Sequence, residues 1–429
     1  MERVEAVVVG GGLGGLTCAY CLAQEGMQVL VLERGDHPGS KNVTGGRLYL
    51  RPLRPYLPEL WEAAPLERQV TKEVITMLGE GSSLTMQFTS EKFREMPAHS
   101  CTILRSRFDK WLGERVKEKG GFIVPQRRVL DLMKEDGRIV GVIAEGEEIR
   151  ADVVIAADGA LSLMAEQAGL RGPLAPRHAA VALKEVIRLA PEVIEERFGL
   201  APGEGAAHLF FGAVTPGLFG GGFLYTNRDT LSLGLVLGID AFIKSKPTTE
   251  THQIFEAFKG RQEIAHLIKD GELAEYSAHL IPEGGNSPLA KPFGDGILVV
   301  GDAAGLALNM GITVRGMEFA IASGYMAAQT IKRAKEKGDF SASFLALYQT
   351  LLKESFVLKD METFRHSLDV WENPRITGFY PQWVCQLWEQ LFWIGEGPKE
   401  RIFSTLWKGV RQGLLNLAAL KDLLMLRRI

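Results

Sequence analysis

Cysteine and long apolar runs are both scarce in this sequence. Four cysteines in 429 residues exclude a disulfide framework and favour a reducing compartment. No apolar run reaches the roughly 18 residues that a membrane-spanning helix needs. The eight histidines show no H-E-x-x-H or comparable spacing, so the sequence predicts no metal site.

A strong excess of charge of either sign is also lacking, because the formal net charge is only −3 at pH 7. This balance argues against general nucleic-acid binding. The sequence opens almost directly on a predicted strand, so we expect no signal or transit peptide before it. We therefore expect a cytoplasmic protein, peripheral on the inner face of the cell membrane if it contacts a membrane.

Glycine, in contrast, is abundant near the start of the chain. Ala6–Val9 is a short apolar run that predicts a strand covered on both faces. Gly10, Gly12 and Gly15 follow it as G-x-G-x-x-G, and Val29–Leu32 predicts the next strand. In this pattern the first glycine permits a tight turn, the second admits a pyrophosphate, and the third lets helix and strand pack closely.

An acid completes the pattern. Glu33 ends the second predicted strand, 18 residues after Gly15, where an acceptor for a ribose hydroxyl is expected. The intervening helix begins near Leu13 and Gly14, and its first N–H groups are free to bind an anion. A lone glycine turn is weak evidence, but strand, helix, strand and acid in this order predict a dinucleotide site.

Two further strand ends extend the predicted site. Ala157, Asp158 and Gly159 follow the buried run Ala151–Ile155, and Gly301–Gly305 follows another such run. A domain that binds NAD alone does not need the third strand end, whereas FAD does because its isoalloxazine ring lies far from the adenine. We therefore predict FAD, with Asp302 accepting hydrogen bonds from its ribityl or ribose hydroxyls.

Between these pieces the pattern changes to longer strands and hairpins, from about Ala179 to His279, which predicts an antiparallel layer. The expected fold is α/β, with a Rossmann-like FAD-binding domain, an inserted antiparallel-sheet domain and a helical C-terminal segment. The predicted FAD-binding domain is discontinuous and comprises residues 1–48, 100–178 and 286–338. Residues 49–99 and 179–285 form the predicted substrate domain, and residues 339–429 form the helical region. Ile103–Lys119 predicts an amphipathic helix, and Val70–Phe88 predicts a hairpin.

The C-terminal region combines aromatic and basic residues. Five of the seven tryptophans lie beyond residue 340, and residues 395–429 hold seven Lys/Arg against three acids. Apolar residues near helical spacing alternate with the basic ones, a pattern that suits a helix on a membrane surface. A helical bundle that packs on its own domain or on a partner subunit explains the same stripe equally well.

Several stretches together resemble the FixC-type flavoproteins of the electron-transfer-flavoprotein:quinone oxidoreductase family, which are related to geranylgeranyl reductases and to the p-hydroxybenzoate-hydroxylase fold. The resemblance covers roughly residues 5–333 in order. The matching stretches are VVVGGGLGGLTCAY, LERGDHPGSKNVTGG, ILRSRFDKWL, ADVVIAADGALS, GFLYTN, AHLIPEGG and GDGILVVGDAAG.

This resemblance implies roles for individual residues. Glu33 and Arg34 would meet the adenosine ribose, and Lys41, Asn42, Val43 and Gly45 would lie along the flavin. Arg105 is similar to a cofactor-contacting arginine, Val129 to a backbone contact to adenine, and Asp302 and Gly311 to ribityl and flavin-edge positions. The complete predicted cofactor-binding set is Gly10, Gly12, Leu13, Gly14, Gly15, Glu33, Arg34, Lys41, Asn42, Val43, Gly45, Arg105, Val129, Ala157, Asp158, Gly159, Gly301, Asp302 and Gly311.

One departure from the longer members of this family concerns iron. Those members carry a C-terminal ferredoxin-like part with a four-cysteine cluster, whereas this chain has only Cys385 beyond residue 101. A [4Fe–4S] cluster needs four thiolates. The resemblance therefore implies a separate ferredoxin-like iron–sulfur subunit, together with electron transfer flavoprotein subunits, in a complex that bifurcates electrons to quinone and ferredoxin.

Two polar motifs have simpler explanations. Cys18-x-x-Cys21 lies inside the first predicted helix, where buried cysteines pack as small hydrophobes. Arg105 is by default a solvated charge on a helix, and only the resemblance makes it a cofactor contact. His279 is a candidate proton carrier, and we predict no other catalytic side chain because the flavin performs the chemistry.

The resulting hypothesis is an FAD-dependent oxidoreductase that accepts electrons from an electron transfer flavoprotein and passes them to quinone. An NAD(P)H-dependent flavin monooxygenase or a geranylgeranyl-type isoprenoid reductase would use the same fold. A flavin-free adaptor that only binds a lipidated protein is a third hypothesis, against which the intact pyrophosphate turn argues.

Overall fold

The computed structural model describes residues 2–42, 45–215, 217–245, 249–283 and 289–429. Two large sheets, a two-stranded sheet of Leu308–Asn309 and Val314–Arg315, and the helices that connect and follow them make up this part of the chain. The strands are β1 (Glu2–Val9), β2 (Val29–Leu32), β3 (Gly45–Tyr49), β4 (Gln69–Leu78), β5 (Ser83–Thr89), β6 (Ser100–Leu104), β7 (Phe122–Val124), β8 (Val129–Glu135), β9 (Arg138–Ala144), β10 (Glu147–Ala156), β11 (Ala179–Arg188), β12 (Glu204–Gly212), β13 (Gly220–Thr226), β14 (Thr230–Gly238), β15 (Glu272–Pro282), β16 (Phe293–Gly294), β17 (Ile297–Val299), β18 (Leu308–Asn309) and β19 (Val314–Arg315).

The helices connect the strands of both sheets and then form the C-terminal region. They are α1 (Leu13–Gln24), α2 (Arg105–Glu118), α3 (Leu163–Gln167), α4 (Pro191–Phe198), α5 (Ile239–Ser245), α6 (Thr251–Lys259), α7 (Gln262–Ile268), α8 (Met317–Lys337), α9 (Ala342–Leu345), α10 (Leu347–Glu354), α11 (Phe356–Thr363), α12 (Ser367–Trp371), α13 (Tyr380–Phe392), α14 (Ile402–Gly413) and α15 (Leu417–Leu426).

The first sheet is built around β1. Its order is β16-β17-β10-β1-β2-β7, and the β17, β10, β1, β2 and β7 neighbours pair in parallel. Ala6, Val7 and Val8 are fully buried, as expected for a parallel strand covered on both faces. Helices α1 and α8 pack so closely that a Cβ on Gly324 would lie 2.1 Å from the Gly14 carbonyl oxygen. The predicted α/β fold with a Rossmann-like core is confirmed.

The second sheet has the order β15-β11-β14-β13-β12-β4-β6-β3, with β5 beside β4. Its pairs are antiparallel except for β12 and β4, which run parallel. The predicted hairpin of Val70–Phe88 is present as β4 and β5. The predicted helix of Ile103–Lys119 begins too early, because Ser100–Leu104 is the buried strand β6 and the helix starts at Arg105.

The predicted division into domains stays a prediction. Two strands do not follow the predicted boundaries. Most of β3 and all of β6 lie in the predicted FAD-binding domain, but both strands pair within the second sheet. The chain therefore passes between the sheets directly before α2, and Arg105 lies at that crossing.

The C-terminal helices differ in how they are covered. Helix α13 packs against β4, and its Cys385 is buried. Helices α14 and α15 instead leave large apolar side chains exposed. Among the helices within the described ranges, none combines the length and apolar character needed to cross a bilayer.

Candidate functional site

A cavity of about 630 Å³ has walls from both sheets, and its volume suits a cofactor or ligand. Most of the residues predicted to bind FAD line it: Gly10, Gly12, Leu13, Gly14, Glu33, Arg34, Lys41, Asn42, Arg105, Val129, Ala157, Asp158, Gly159, Gly301, Asp302 and Gly311. Gly15 packs against Gly10 behind the turn, and Gly45 begins β3 directly before Gly46, which lines the cavity. Val43 lies outside the described residues.

The glycine turn closes tightly on one side and is open on the other. Gly10 has φ +104°, and a Cβ there would lie 2.4 Å from the Ala157 carbonyl oxygen. A Cβ on Gly15 would lie 2.4 Å from the Gly10 oxygen, whereas a Cβ on Gly12 would meet nothing within 4 Å. The turn is therefore packed against β10, and it leaves free space above Gly12.

Glu33 holds this turn in place. Its carboxylate accepts hydrogen bonds from the backbone N–H of Gly11 at 2.8 Å and of Gly35 at 2.6 Å. Helix α1 begins after Gly12 without a side-chain cap from any described residue. Its first N–H groups are thus available to an anion in the cavity.

Positive charge also lines the cavity. Arg34, Arg105 and Lys184 belong to its wall, and the charges of Arg105 and Lys184 act on the carboxyl of Asp302. Arg105 donates to the fully buried carboxylate of Asp109 at 2.8 and 2.6 Å. Burial and the positive charge of Arg105 lower the pKa of Lys184 to about 7, while the negative charge of Asp302 opposes this shift. Burial also raises the pKa of Asp302, although both cations oppose that shift.

His279 also lines the cavity. Burial and the charges of Lys184, Arg105 and Arg34 lower its pKa to about 4. The imidazole is therefore neutral at pH 7 and has no extra proton to donate. Its role as a proton carrier stays a prediction, and the electrostatics of the site do not favour it.

Aromatic side chains form the other end of the cavity. Trp371 lies against Gly311, where a Cβ would come within 1.8 Å of the indole ring. The same indole stacks with Phe211, with ring centres 6.4 Å apart. On the second sheet Phe223 and Tyr225 stack at 5.3 Å, and the Lys184 ammonium lies 5.7 Å from the Phe223 ring centre, so this pair borders the charged part of the wall. This end offers flat apolar walls that suit a planar ring.

Sequence reasoning missed three residues of this site. Lys184 and Glu283 belong to or follow strands of the second sheet, and Trp371 ends α12, far along the chain. Lys184 carried a signal, because it directly follows the apolar run Ala179–Leu183. Glu283 stands in the family-like stretch AHLIPEGG, but neither it nor Trp371 carried a sign of its place in the cavity, because only the folded chain brings them there.

The predicted packing role of Cys18 and Cys21 agrees with their surroundings. Both are buried free thiols. Burial raises the pKa of both, that of Cys21 to about 12. Neither forms a reactive thiolate at neutral pH.

The residues of the cavity fit FAD. The open side of Gly12 and the uncapped start of α1 provide a backbone cradle for a pyrophosphate. Arg34, Arg105 and Lys184 lie in the cavity wall, and such cations would attract the phosphates of a bound dinucleotide. The cavity also continues from Val129 to the aromatic end at Trp371, as an extended dinucleotide requires.

Comparisons with known proteins agree with this site. Residues 5–171 and residues 100–330 each match a family described as FAD dependent oxidoreductase. The chain is 43% identical to the probable electron transfer flavoprotein-quinone oxidoreductase YdiS of Escherichia coli K12, over 98% of this chain and 97% of that protein. It is 44% identical to protein FixC of Escherichia coli O157:H7, over 96% of both.

A solved structure shows the same fold. A geranylgeranyl bacteriochlorophyll reductase-like protein from Thermoplasma acidophilum superimposes with a TM-score of 0.73 at 22% identity, over 99% of this chain and 100% of that one. The predicted cofactor, FAD, and the predicted class, an electron-transferring oxidoreductase, are confirmed by these relatives. The chain belongs to the FAD-dependent oxidoreductases and, within them, to the family of FixC and the electron transfer flavoprotein-quinone oxidoreductases.

Proposed function

We propose that this chain accepts electrons from an electron transfer flavoprotein and passes them to a quinone. The observation that carries the proposal is 43% identity, over nearly the whole chain, to a relative named for that reaction. When bound, FAD supplies the capacity to take up two electrons and to release them singly or as a pair. The side chains bind, orient and shield the reactants.

The cavity divides these tasks between its ends. The turn at Gly12, the acid Glu33 and the cations Arg34 and Arg105 would hold the dinucleotide. The aromatic end, with Phe211 and Trp371, would receive the flat head group of the quinone. The remaining residues of the predicted cofactor-binding set would complete the FAD contacts along the cavity.

Stopped-flow spectroscopy tests the proposal directly. We expect a cognate electron transfer flavoprotein to reduce the bound FAD, and a short-chain ubiquinone or menaquinone analogue to reoxidise it. NAD(P)H alone should reduce the FAD slowly. Rapid reduction by NAD(P)H with formation of a hydroxylated or saturated product would instead support the monooxygenase or isoprenoid reductase, and failure of every quinone to reoxidise the FAD would contradict the proposal.

We further propose that a separate ferredoxin-like subunit supplies the iron–sulfur cluster of a bifurcating complex. Three of the four cysteines lie at residues 18, 21 and 101, and Cys385 is a buried residue of α13. The chain thus has no four-thiolate site of its own within the described ranges. Purification of the native complex, with its iron and flavin measured, should recover both kinds of subunit, and iron-free complexes would contradict this assembly.

The C-terminal apolar surface suits a membrane contact. We define this surface as the exposed apolar residues Phe392, Trp393, Ile394, Ile402, Phe403, Leu406, Trp407, Leu414, Leu415, Leu417, Leu420, Leu423 and Leu424. Two of the three nearby acids are occupied, because Glu400 pairs with Lys408 and the buried Asp422 pairs with Arg375. The remaining charge is mainly basic, which favours anionic lipid.

We therefore propose that the C-terminal apolar surface contacts the inner face of the cell membrane. Replacing Phe403, Trp407 and Leu417 by serine should weaken binding to vesicles of phosphatidylglycerol and phosphatidylcholine at least about tenfold, because three exposed apolar side chains leave the interface. Vesicle flotation measures the effect.

A matched variant controls for the general loss of exposed apolar area. Met96, Phe122 and Leu130 are also exposed but lie outside the C-terminal region. Their replacement by serine should leave vesicle binding unchanged. Equal binding by both triple variants would contradict the membrane contact and favour a partner subunit on this surface.

A further inference from the structure

Glu283 is a buried acid at the aromatic end of the cavity. It follows β15, lines the cavity, and is only 4% exposed. Its backbone N–H donates to the carbonyl oxygen of His178 at 2.9 Å, which fixes the chain at this point. Asn309 and Trp371 lie in the same part of the cavity wall.

Among the residues that the structure describes, Asn309 is the hydrogen-bond partner of the Glu283 carboxyl, and its orientation is fixed. The Asn309 side-chain oxygen accepts from the backbone N–H of Gly311 at 2.9 Å. The amide nitrogen of Asn309 is therefore the atom that donates a hydrogen bond to the Glu283 carboxyl. An ionised carboxylate can accept several hydrogen bonds, so one donor stabilises its charge poorly in a buried position.

The charged neighbours of Glu283 do not compensate for this burial. The segments beside it carry Arg177 and His178 before β11, Asp369 and Glu372 around α12, and Arg315 after β18. Arg177 is committed to Glu372 and Asp369, both at 2.7 Å, and Arg315 to Glu318. Burial raises the pKa of Glu283 to about 7, against the Asn309 hydrogen bond and with the support of the Glu372 charge.

A second polar group at this end lacks a partner. The indole N–H of Trp371 is buried and finds no acceptor among the described residues. Buried donors are rarely left unpaired, and an acceptor oxygen on a ligand in the cavity would satisfy this one. A donor and a proton-bearing acid thus occupy the same end of the cavity.

We infer that Glu283 is the proton carrier for the quinone that is reduced in this cavity. The inference rests on the proposed function. Reduction of a quinone to a quinol consumes two electrons, which the electron transfer flavoprotein supplies, and two protons. The O–H bond of Glu283 breaks as an O–H bond forms on the nearer quinone oxygen, and the second proton comes from water.

Glu283 then regains a proton from solvent. The nearby Glu372 and Arg177 are partly exposed, at 26% and 43% of their side-chain surfaces, and so connect this end of the cavity to water. The net reaction takes two protons from solvent for each quinol. His279 is less suited to the task, because it carries no extra proton at neutral pH.

The test compares Glu283→Gln with Glu275→Gln in the FAD-loaded protein. Glu275 lies on β15, the strand directly before Glu283, but is exposed, so that its replacement makes the same charge change away from the cavity. Proton transfer by a positioned side chain contributes about 10²–10⁴-fold. We expect Glu283→Gln to slow reoxidation by a short-chain quinone at least about 100-fold without altering quinone affinity, while Glu275→Gln matches the wild type.

Two further readouts separate proton transfer from a structural role. The wild-type rate should change with pH around 7, and in Glu283→Gln this change should shrink to the part that comes from Lys184, whose pKa is also about 7. Infrared difference spectra between the oxidised wild type and oxidised Glu283→Gln, both without quinone, should show a carboxylic acid that titrates near pH 7. Asn309→Leu removes the hydrogen bond that favours the ionised form of Glu283. The pH midpoints of the quinone-reduction rate and of the infrared titration should therefore both move to higher pH.

Defined outcomes overturn this role. The role is overturned if Glu283→Gln reduces quinone at the wild-type rate with the same pH profile. It is also overturned if the infrared spectrum shows no titrating acid. If Glu283→Gln does not fold, unchanged midpoints in Asn309→Leu would overturn it. A wild-type protein that reduces no quinone overturns the proposed function, and this role with it, even where the infrared titration is present.

Discussion

Gly12→Asp should leave the protein folded but unable to retain FAD. A Cβ at position 12 meets no atom within 4 Å, and the backbone there, with φ −87° and ψ 176°, is open to any residue. Position 12 is the N-cap of α1, where aspartate is among the preferred residues. The new carboxylate would occupy the free side of the turn, which is where the pyrophosphate is expected to bind.

The two effects of this substitution oppose each other. An aspartate N-cap typically stabilises a helix over a glycine cap by a few tenths of a kcal/mol. The same carboxylate would repel the phosphates and compete with them for the N–H groups of α1. We expect the affinity for FAD to fall at least about 100-fold, while the urea midpoint of the FAD-free protein stays equal or rises.

Fluorescence titration of FAD and urea unfolding measure the two effects. Gly81→Asp is the matched control, because a Cβ at Gly81 also meets nothing within 4 Å and Gly81 lies outside the cavity wall. This control should bind FAD as the wild type does. If Gly12→Asp retained FAD at wild-type affinity, the pyrophosphate would have to lie elsewhere.

The first sheet was predictable because its signals are local. Ala6–Val9 and Val29–Leu32 are apolar runs that end at glycine or at an acid, so each strand and its following turn can be identified within a dozen residues. The start of α2 was not predictable in the same way. Ile103 and Leu104 continue the apolar stripe of the helix, but tertiary pairing with β3 places them in a strand.

The two ends of the cavity differ for the same reason. The cofactor end is formed by glycine turns at strand ends, and each of these turns can be identified from consecutive residues. The aromatic end depends on Trp371 and Glu283, which line one cavity only because α12 returns to the second sheet, where Trp371 stacks with Phe211. Arg105 was predictable in part. Its pairing with Asp109 is a helical i, i+4 contact that the sequence alone indicates. Its place in the cavity depends on the strand before it.

Stability should also report on Glu283, independently of any electron transfer. The pKa of this carboxyl is raised from its unfolded value of 4.5 to about 7, so the folded protein holds a proton that the unfolded chain has released. The resulting stabilisation is fully present below pH 4.5 and is lost as the pH rises through 7. A shift of this size corresponds to about 3 kcal/mol.

Other buried groups act in the opposite direction, so the wild-type curve alone does not isolate Glu283. Lowered pKa values at Lys184, near 7, and at His279, near 4, make the folded protein more stable as the pH rises. The informative quantity is the difference in unfolding free energy between Glu283→Gln and the wild type, both saturated with FAD, at each pH. The other groups largely cancel in this difference.

We expect that difference to change by about 3 kcal/mol in favour of Glu283→Gln between pH 5 and pH 8. The glutamine cannot ionise, so the variant avoids the cost of burying a charge at high pH. Urea unfolding at closely spaced pH values measures the change, and Glu275→Gln should give a flat difference over the same range. A flat difference for Glu283→Gln as well would mean that Glu283 is ionised in the folded protein throughout this range, and would leave the cavity without a buried acid that can carry a proton near neutral pH.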